Sequence, residues 1–207
     1  MENTKRKVDI KTIARIGIFG ALAAILYCIP IFQFKLPSIF PNFLEFHFDE
    51  IPIFIASFAY GPLTGFFVIL VRTLIKLPMT STLCVGEISD FLYSCALILP
   101  AAFYYKKHRT IKGALIGITI GFFSQIIISA LGNGLFMIDF YLFLFKISED
   151  SLLAMVQGIN PAISDIHFTL ILYAIIPFNA LKNLAVIIVT ILVYKKLSPL
   201  LVKMKKE

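Results

Sequence analysis

Long apolar runs separated by short polar or basic segments organise this chain. The runs predict helices over about 13–31, 49–60, 62–76, 85–105, 111–131 and 177–194. A bilayer crossing needs about 20 residues, so most of these read as transmembrane spans. The second and third are short, and Gly61-Pro62 predicts a turn between them. Pro30, Pro37 and Pro41 mark a loop that runs to about His47. Residues 134–176 hold a further apolar stretch, a polar segment from Ser148 to Asp165, and another apolar run. Pro177 stands at a favoured first helical position for the last span.

Composition supports a lipid environment. The chain is 59% hydrophobic and 15% charged, too little polar surface for a water-soluble globule of 207 residues. With no polar linker, it is expected to form one all-α domain in the membrane. The net charge of +7 is a topology signal rather than a nucleic-acid surface, because 14 of the 19 basic residues lie in three flanking segments. These are Lys5 to Arg15, Lys106 to Lys112, and Lys195 to Lys206. Placing all three in the cytoplasm requires an even number of crossings between them. Six transmembrane helices with both termini cytoplasmic satisfy this, in a multi-pass protein of the cell membrane with an uncleaved first span. Glu45, Asp49, Glu50, Glu149, Asp150 and Asp165 then fall on the outer side.

Candidate chemistry follows from depth. Ionisable groups inside a membrane are costly and mark functional sites by default; here they are Arg72, Glu87, Asp90, Asp139 and Lys182. At ~1.5 Å per residue, Glu87, Asp90, Asn133, Asn179, Lys182 and Asn183 share the outer third. That predicts either a pocket for a polar ligand, open to the outside, or a structural network pairing Lys182 with Glu87 or Asp90. His47 precedes Asp49 and Glu50 and is a candidate ligand contact; a metal site there lacks evident further ligands. Span one carries the small-residue pairs Gly17/Ala21 and Gly20/Ala24, and span five carries Gly113, Gly117 and Gly121. Such spacing lets helices approach closely; internal packing is expected for span five, and either internal packing or a partner interface for span one. Cys28, Cys84 and Cys95 have no metal or disulfide spacing. No P-loop, H-E-x-x-H or G-x-S-x-G motif occurs, so an enzyme is not expected, and no cofactor is implied. Binding without an ATP site suggests a subunit that borrows an ATPase.

Five blocks carry a family resemblance: FHFDEIPIFIASFAYGPLTG (46–65), GEISDFLYSCALILPAAFYYKK (86–107), KGALIG (112–117), IPFNALKNL (176–184) and YKKLSPLL (194–201). In order and spacing they resemble the S components of energy-coupling-factor (ECF) vitamin transporters, most closely the riboflavin-specific group. The resemblance implies a six-helix subunit that binds a vitamin from outside. It implies docking on a transmembrane coupling protein with two ATPase subunits, through Gly17 and Ala21 or Gly20 and Ala24. It also implies ligand contacts at Glu87, Asn133, Asn179 and Lys182, which the depth argument had selected independently; Asp90 and His47 complete the candidate set. Two positions depart from the family pattern: His47-Phe48-Asp49-Glu50 stands for an acidic DFSD, and Asp90 replaces an asparagine. Another water-soluble vitamin, or a standalone facilitative or ion-coupled carrier, are the alternative readings.

Overall fold

The computed structural model describes residues 9–206, with side chains through 193. Lys5, Arg6 and Lys7 lie outside the described residues, as do the side chains of the tail lysines. Eight α-helices are described: α1 (Ile10–Cys28), α2 (Glu50–Tyr60), α3 (Pro62–Lys76), α4 (Val85–Lys107), α5 (Ile111–Gly132), α6 (Ile138–Phe145), α7 (Glu149–Gln157) and α8 (Ile176–Lys206). No β-strand occurs among the described residues. Five helical rods are long and apolar enough to cross a membrane, making this a multi-pass integral membrane protein. Of the six predicted spans, the exception is α2. Its 11 residues extend only ~16 Å, about half of a ~30 Å hydrocarbon core.

The short helix sets the architecture. Pro52 to Ser57 are all buried, so α2 is enclosed by its neighbours rather than lipid-facing. Ile53, Phe54, Val68, Ile69, Leu97, Ile98 and Val186 form the core around it. The Gly61 turn has φ +104, a conformation L side chains rarely adopt, and it reverses the chain directly into α3. A second core, including Leu152, Val156, Ile163, Leu170 and Ile175, seats α7 against the bundle.

Two helix boundaries differ from expectation. The fifth helix does not stop near 131. It continues through a π-helical turn, Asn133–Met137, into α6, giving one rod over Ile111–Phe145. The segment is apolar and contains no proline, and the rod ends where Lys146 turns to φ 53. The last helix likewise begins before Pro177. Asp165 accepts backbone N–H groups from His167, Phe168 and Thr169, while the Thr169 hydroxyl accepts those of Ser164 and Asp165. The Phe168 N–H leads in holding the Asp165 carboxyl below its usual range. This reciprocal cap starts the helix. A π-helical turn over Ile171–Ile175, closed by the Ile176 N–H on the Ile171 carbonyl, then accommodates Pro177. A wide turn is a known way to absorb the missing proline donor inside a helix.

Helix contacts depend on glycine at specific places. A Cβ at Gly117 would lie 2.7 Å from the Ala101 carbonyl oxygen, and one at Gly121 would lie 2.0 Å from that of Leu97. These two glycines let α5 rest on the α4 backbone. In α1 the two small-residue pairs separate. A Cβ at Gly20 would lie 2.7 Å from the Val71 side chain and Ala24 is 5% exposed, so both are turned inward. Gly17 meets nothing within 4 Å, and Ala21 is exposed. Gly20 and Ala24 thus pack against α3 and the core, which leaves Gly17 and Ala21 as the exposed small-residue pair.

Gly121→Ala is expected to destabilise the chain by at least about 1–3 kcal/mol, the usual penalty of overpacking, because its new Cβ meets backbone. Gly17→Ala should leave stability unchanged or raised. Thermal unfolding in detergent checks both; equal losses would contradict the assignment of faces.

Candidate functional site

The site begins with a folded cover. After α1, a 3₁₀ turn over Pro30–Phe32 redirects the chain, and the Gln33 side-chain amide donates to the Tyr27 carbonyl. Phe34 and Phe46 exchange backbone hydrogen bonds of 3.1 and 2.8 Å, and their rings stack at 5.0 Å. Lys35 and Glu45 close the same narrow neck at 2.8 Å. Phe40 and Phe46 then pack edge-on against Phe178 of α8, at 5.4 and 4.7 Å. Residues 29–48 thus lie as an aromatic lid across one end of the bundle.

Beneath the lid is a buried ion network. Asp49 and Glu50 stand at the start of α2, and both are at most 3% exposed. A helix N-terminus favours negative charge, but in an apolar interior that does not suffice, and each carboxylate has a cationic partner. Arg72 of α3, 0% exposed, pairs with Asp49 at 2.9 Å. It also donates to the Ser94 hydroxyl at 2.9 Å and lies over the Tyr27 ring at 4.4 Å. Lys182 of α8 pairs with Glu50 at 3.1 Å and approaches Asp90 at 3.8 Å. His47 bridges the two halves. Its Nδ1 contacts Asp49, and its Nε2 lies 3.0 Å from Lys182 and 3.3 Å from Asp90. The Tyr27 hydroxyl donates to Asp90 at 2.5 Å. Arg72 and Lys182 thus face Asp49, Glu50 and Asp90, with His47 between them.

Amide groups surround this network. The Gln125 amide donates to the Asn179 carbonyl oxygen at 2.8 Å and accepts from Asn183 at 2.7 Å. Asn133 stands in the first position of the π turn, where it donates to the Tyr93 hydroxyl at 2.9 Å and to the Ser129 carbonyl at 2.8 Å. Glu87 sits apart from Lys182. It accepts the hydroxyls of Thr80 and Thr82 at 2.8 and 2.7 Å, and so organises the loop that enters α4.

His47, Asp90 and Lys182 thus share one cluster, while Asn179, Asn133 and Glu87 stand in separate hydrogen-bond groups. Of the two structural partners expected for Lys182, Asp90 lies 3.8 Å away and Glu87 is paired elsewhere, while Glu50 at 3.1 Å is the nearer carboxylate. Sequence reasoning missed Gln125, Tyr27 and the roles of Asp49 and Glu50. The available signal was an acidic pair opening an apolar helix too short to cross a bilayer. His47, Asp49 and Glu50 bring potential metal ligands within 4.8 Å of one another. Arg72 and Lys182 already occupy those carboxylates, so the set does not offer an open cation site. Two clefts, ≈ 410 Å³ beside Val85, Ile88 and Phe140 and ≈ 390 Å³ beside Gly134 and Ile171, are almost wholly apolar. Neither contains the network, whose His47, Asp49, Glu50, Arg72 and Lys182 are buried under the lid while Asp90 is partly exposed.

Comparison with known proteins finds relatives over nearly the whole chain. The family model for the ECF transporter, substrate-specific component, matches residues 11–194. The chain is 26% identical to the riboflavin transporter RibU of Staphylococcus aureus (strain TCH60), over 95% of this chain and 96% of that protein. It is 25% identical to the riboflavin transporter FmnP of Bacillus subtilis (strain 168), over 90% and 93%. A solved structure of the S component of a bacterial ECF transporter superposes with a TM-score of 0.70 at 27% identity, covering 92% of this chain and 97% of that one. The chain belongs to the family of substrate-specific components of ECF transporters.

Proposed function

We propose that this protein is the riboflavin-binding subunit of an ECF importer, with the polar end of the bundle facing outward and both termini cytoplasmic. The observation that carries this reading is the gathering of hydrogen-bonding groups from α2, α4, α5 and α8 beneath one aromatic lid. Riboflavin presents ring carbonyls, ring nitrogens and ribityl hydroxyls, which need fixed donors and acceptors, and a flat ring that needs aromatic or aliphatic walls. Asn133, Asn179 and Lys182 supply the former, and Phe40, Phe46 and Phe178 supply the latter. The relatives named riboflavin transporters match over nearly the whole chain. Asp90, where the family resemblance expects an asparagine, is tied to Tyr27 and His47. That substitution is absorbed inside the protein rather than at the ligand.

Binding requires the lid to lift. The part that lifts, residues 34–46, is held to the bundle by ring contacts of Phe40 and Phe46 with Phe178 and of Phe43 with Tyr141, the kind of local structure that opens at low cost, while His47 stays anchored in the network. Lys182 already directs N–H groups to Glu50 and His47; Asp90, at 3.8 Å, is beyond hydrogen-bond reach. The third N–H is therefore available to a ligand acceptor. The chain has no ATP motif, so release inward requires the coupling protein and two ATPase subunits. The exposed Gly17 and Ala21 stripe of α1 is the face proposed for that docking.

Riboflavin titration of the detergent-purified protein, read by quenching of flavin fluorescence, tests the ligand. Lys182→Ala and Asn179→Ala are each expected to weaken binding about tenfold or more, because an unpaired buried polar group costs about 1–3 kcal/mol. Unchanged affinity in both would remove these residues from the site. Ala21→Leu is expected to abolish riboflavin uptake by cells while leaving binding by the purified protein intact. Loss of both together would contradict the docking assignment.

A further inference from the structure

We infer that Arg72, Asp49 and His47 form a positioning relay that aims the Lys182 ammonium at the ligand. The inference rests on the reading of Lys182 as a riboflavin contact. Arg72 is 0% exposed and is among the largest fully buried side chains described. Its guanidinium is held on three sides: by Asp49 at 2.9 Å, by the Ser94 hydroxyl at 2.9 Å, and by the Tyr27 ring at 4.4 Å. Asp49 is therefore a fixed acceptor rather than a swinging carboxylate. Asp49 in turn meets His47 Nδ1. A carboxylate only accepts, so this contact requires a proton on Nδ1.

That requirement sets the other ring nitrogen. Nε2 points at Lys182 (3.0 Å) and at Asp90 (3.3 Å). In the neutral ring, Nε2 accepts one Lys182 N–H; in the protonated ring, Nε2–H donates to Asp90. Nδ1 is protonated in both cases, so Asp49 holds the imidazole plane in both. Glu50 at 3.1 Å supplies the second anchor for Lys182. A lysine has four rotatable side-chain bonds and little intrinsic direction. Two anchors, Glu50 at the start of the short helix and His47 three residues before it, supply that direction, as an outer ring of hydrogen bonds does at other binding sites. Tyr27 closes the arrangement by holding Asp90 from α1.

The test uses the full chain labelled with ¹⁵N-histidine, with His108 and His167 as internal references outside the network. In the unaltered protein the His47 Nδ1 resonance should report a protonated nitrogen, and Nε2 should shift when riboflavin is added. The paired variant Arg72→Met/Asp49→Leu removes both members of an ion pair together, a replacement that buried pairs often tolerate. It is expected to remain folded, to lose the fixed Nδ1 signature, and to bind riboflavin at least about tenfold more weakly, the loss typical of supporting-shell changes. Arg72→Lys, which keeps the charge, should recover most of that affinity. An unprotonated Nδ1 in the unaltered protein would overturn the relay whatever the variants do. So would a folded paired variant binding within about twofold of the unaltered protein while Lys182→Ala binds weakly. If Lys182→Ala itself binds normally, the ligand role of Lys182 fails instead.

Discussion

A carboxylate in an apolar bundle has to be paired, and the short α2 helix brings two of them there. Because α2 spans only about half of the hydrocarbon thickness, its N-terminal Asp49 and Glu50 lie inside the bundle rather than at its surface. Arg72 from α3, Lys182 from α8 and His47 from the lid neutralise them, and Asp90 from α4 joins through His47 and Tyr27. Helices distant in sequence are thus tied at one level. Removing one partner of such a pair leaves an uncompensated buried charge, typically at a cost of about 3–5 kcal/mol. The network therefore constrains the helix ends more tightly than apolar packing in lipid, which lacks a hydrophobic drive between helices.

The same constraint explains the lid. A chain leaving α1 must descend to the buried start of α2, so residues 29–48 fold inward over the bundle end. Aromatic residues suit that path because they pack against Phe178 without adding further polar groups to be satisfied. The amides of Gln125, Asn133, Asn179 and Asn183 stand next to the network but are neutral. Neutral amides can exchange an internal partner for a ligand at modest cost, whereas the ion pairs cannot. This division separates Arg72, Asp49 and Glu50, which fix the frame, from the amides and the remaining N–H of Lys182, which are suited to contact riboflavin.

Much of this was legible in sequence, for identifiable reasons. Apolar runs gave the membrane class, and the Gly61-Pro62 pair marked the turn that the structure places between α2 and α3. The polar residues at Asn179, Lys182 and Asp90 stood out because lipid penalises them. Helix continuation past 131 and the start before Pro177 were hidden, since π turns depend on backbone hydrogen bonding that composition does not record. Glu87 was grouped with Lys182 by depth alone, but its threonine partners lie in its own loop and satisfy it locally. Small-residue spacing could not choose between two faces of α1; only Val71 against Gly20 decides it.

The most direct measurement of the central claim is the absorption spectrum of the protein purified from cells grown with riboflavin. The account predicts the visible bands of an oxidised flavin, in a ratio approaching one flavin per chain, retained through gel filtration. A folded, monodisperse protein that carries no flavin and takes none up when riboflavin is supplied would contradict it.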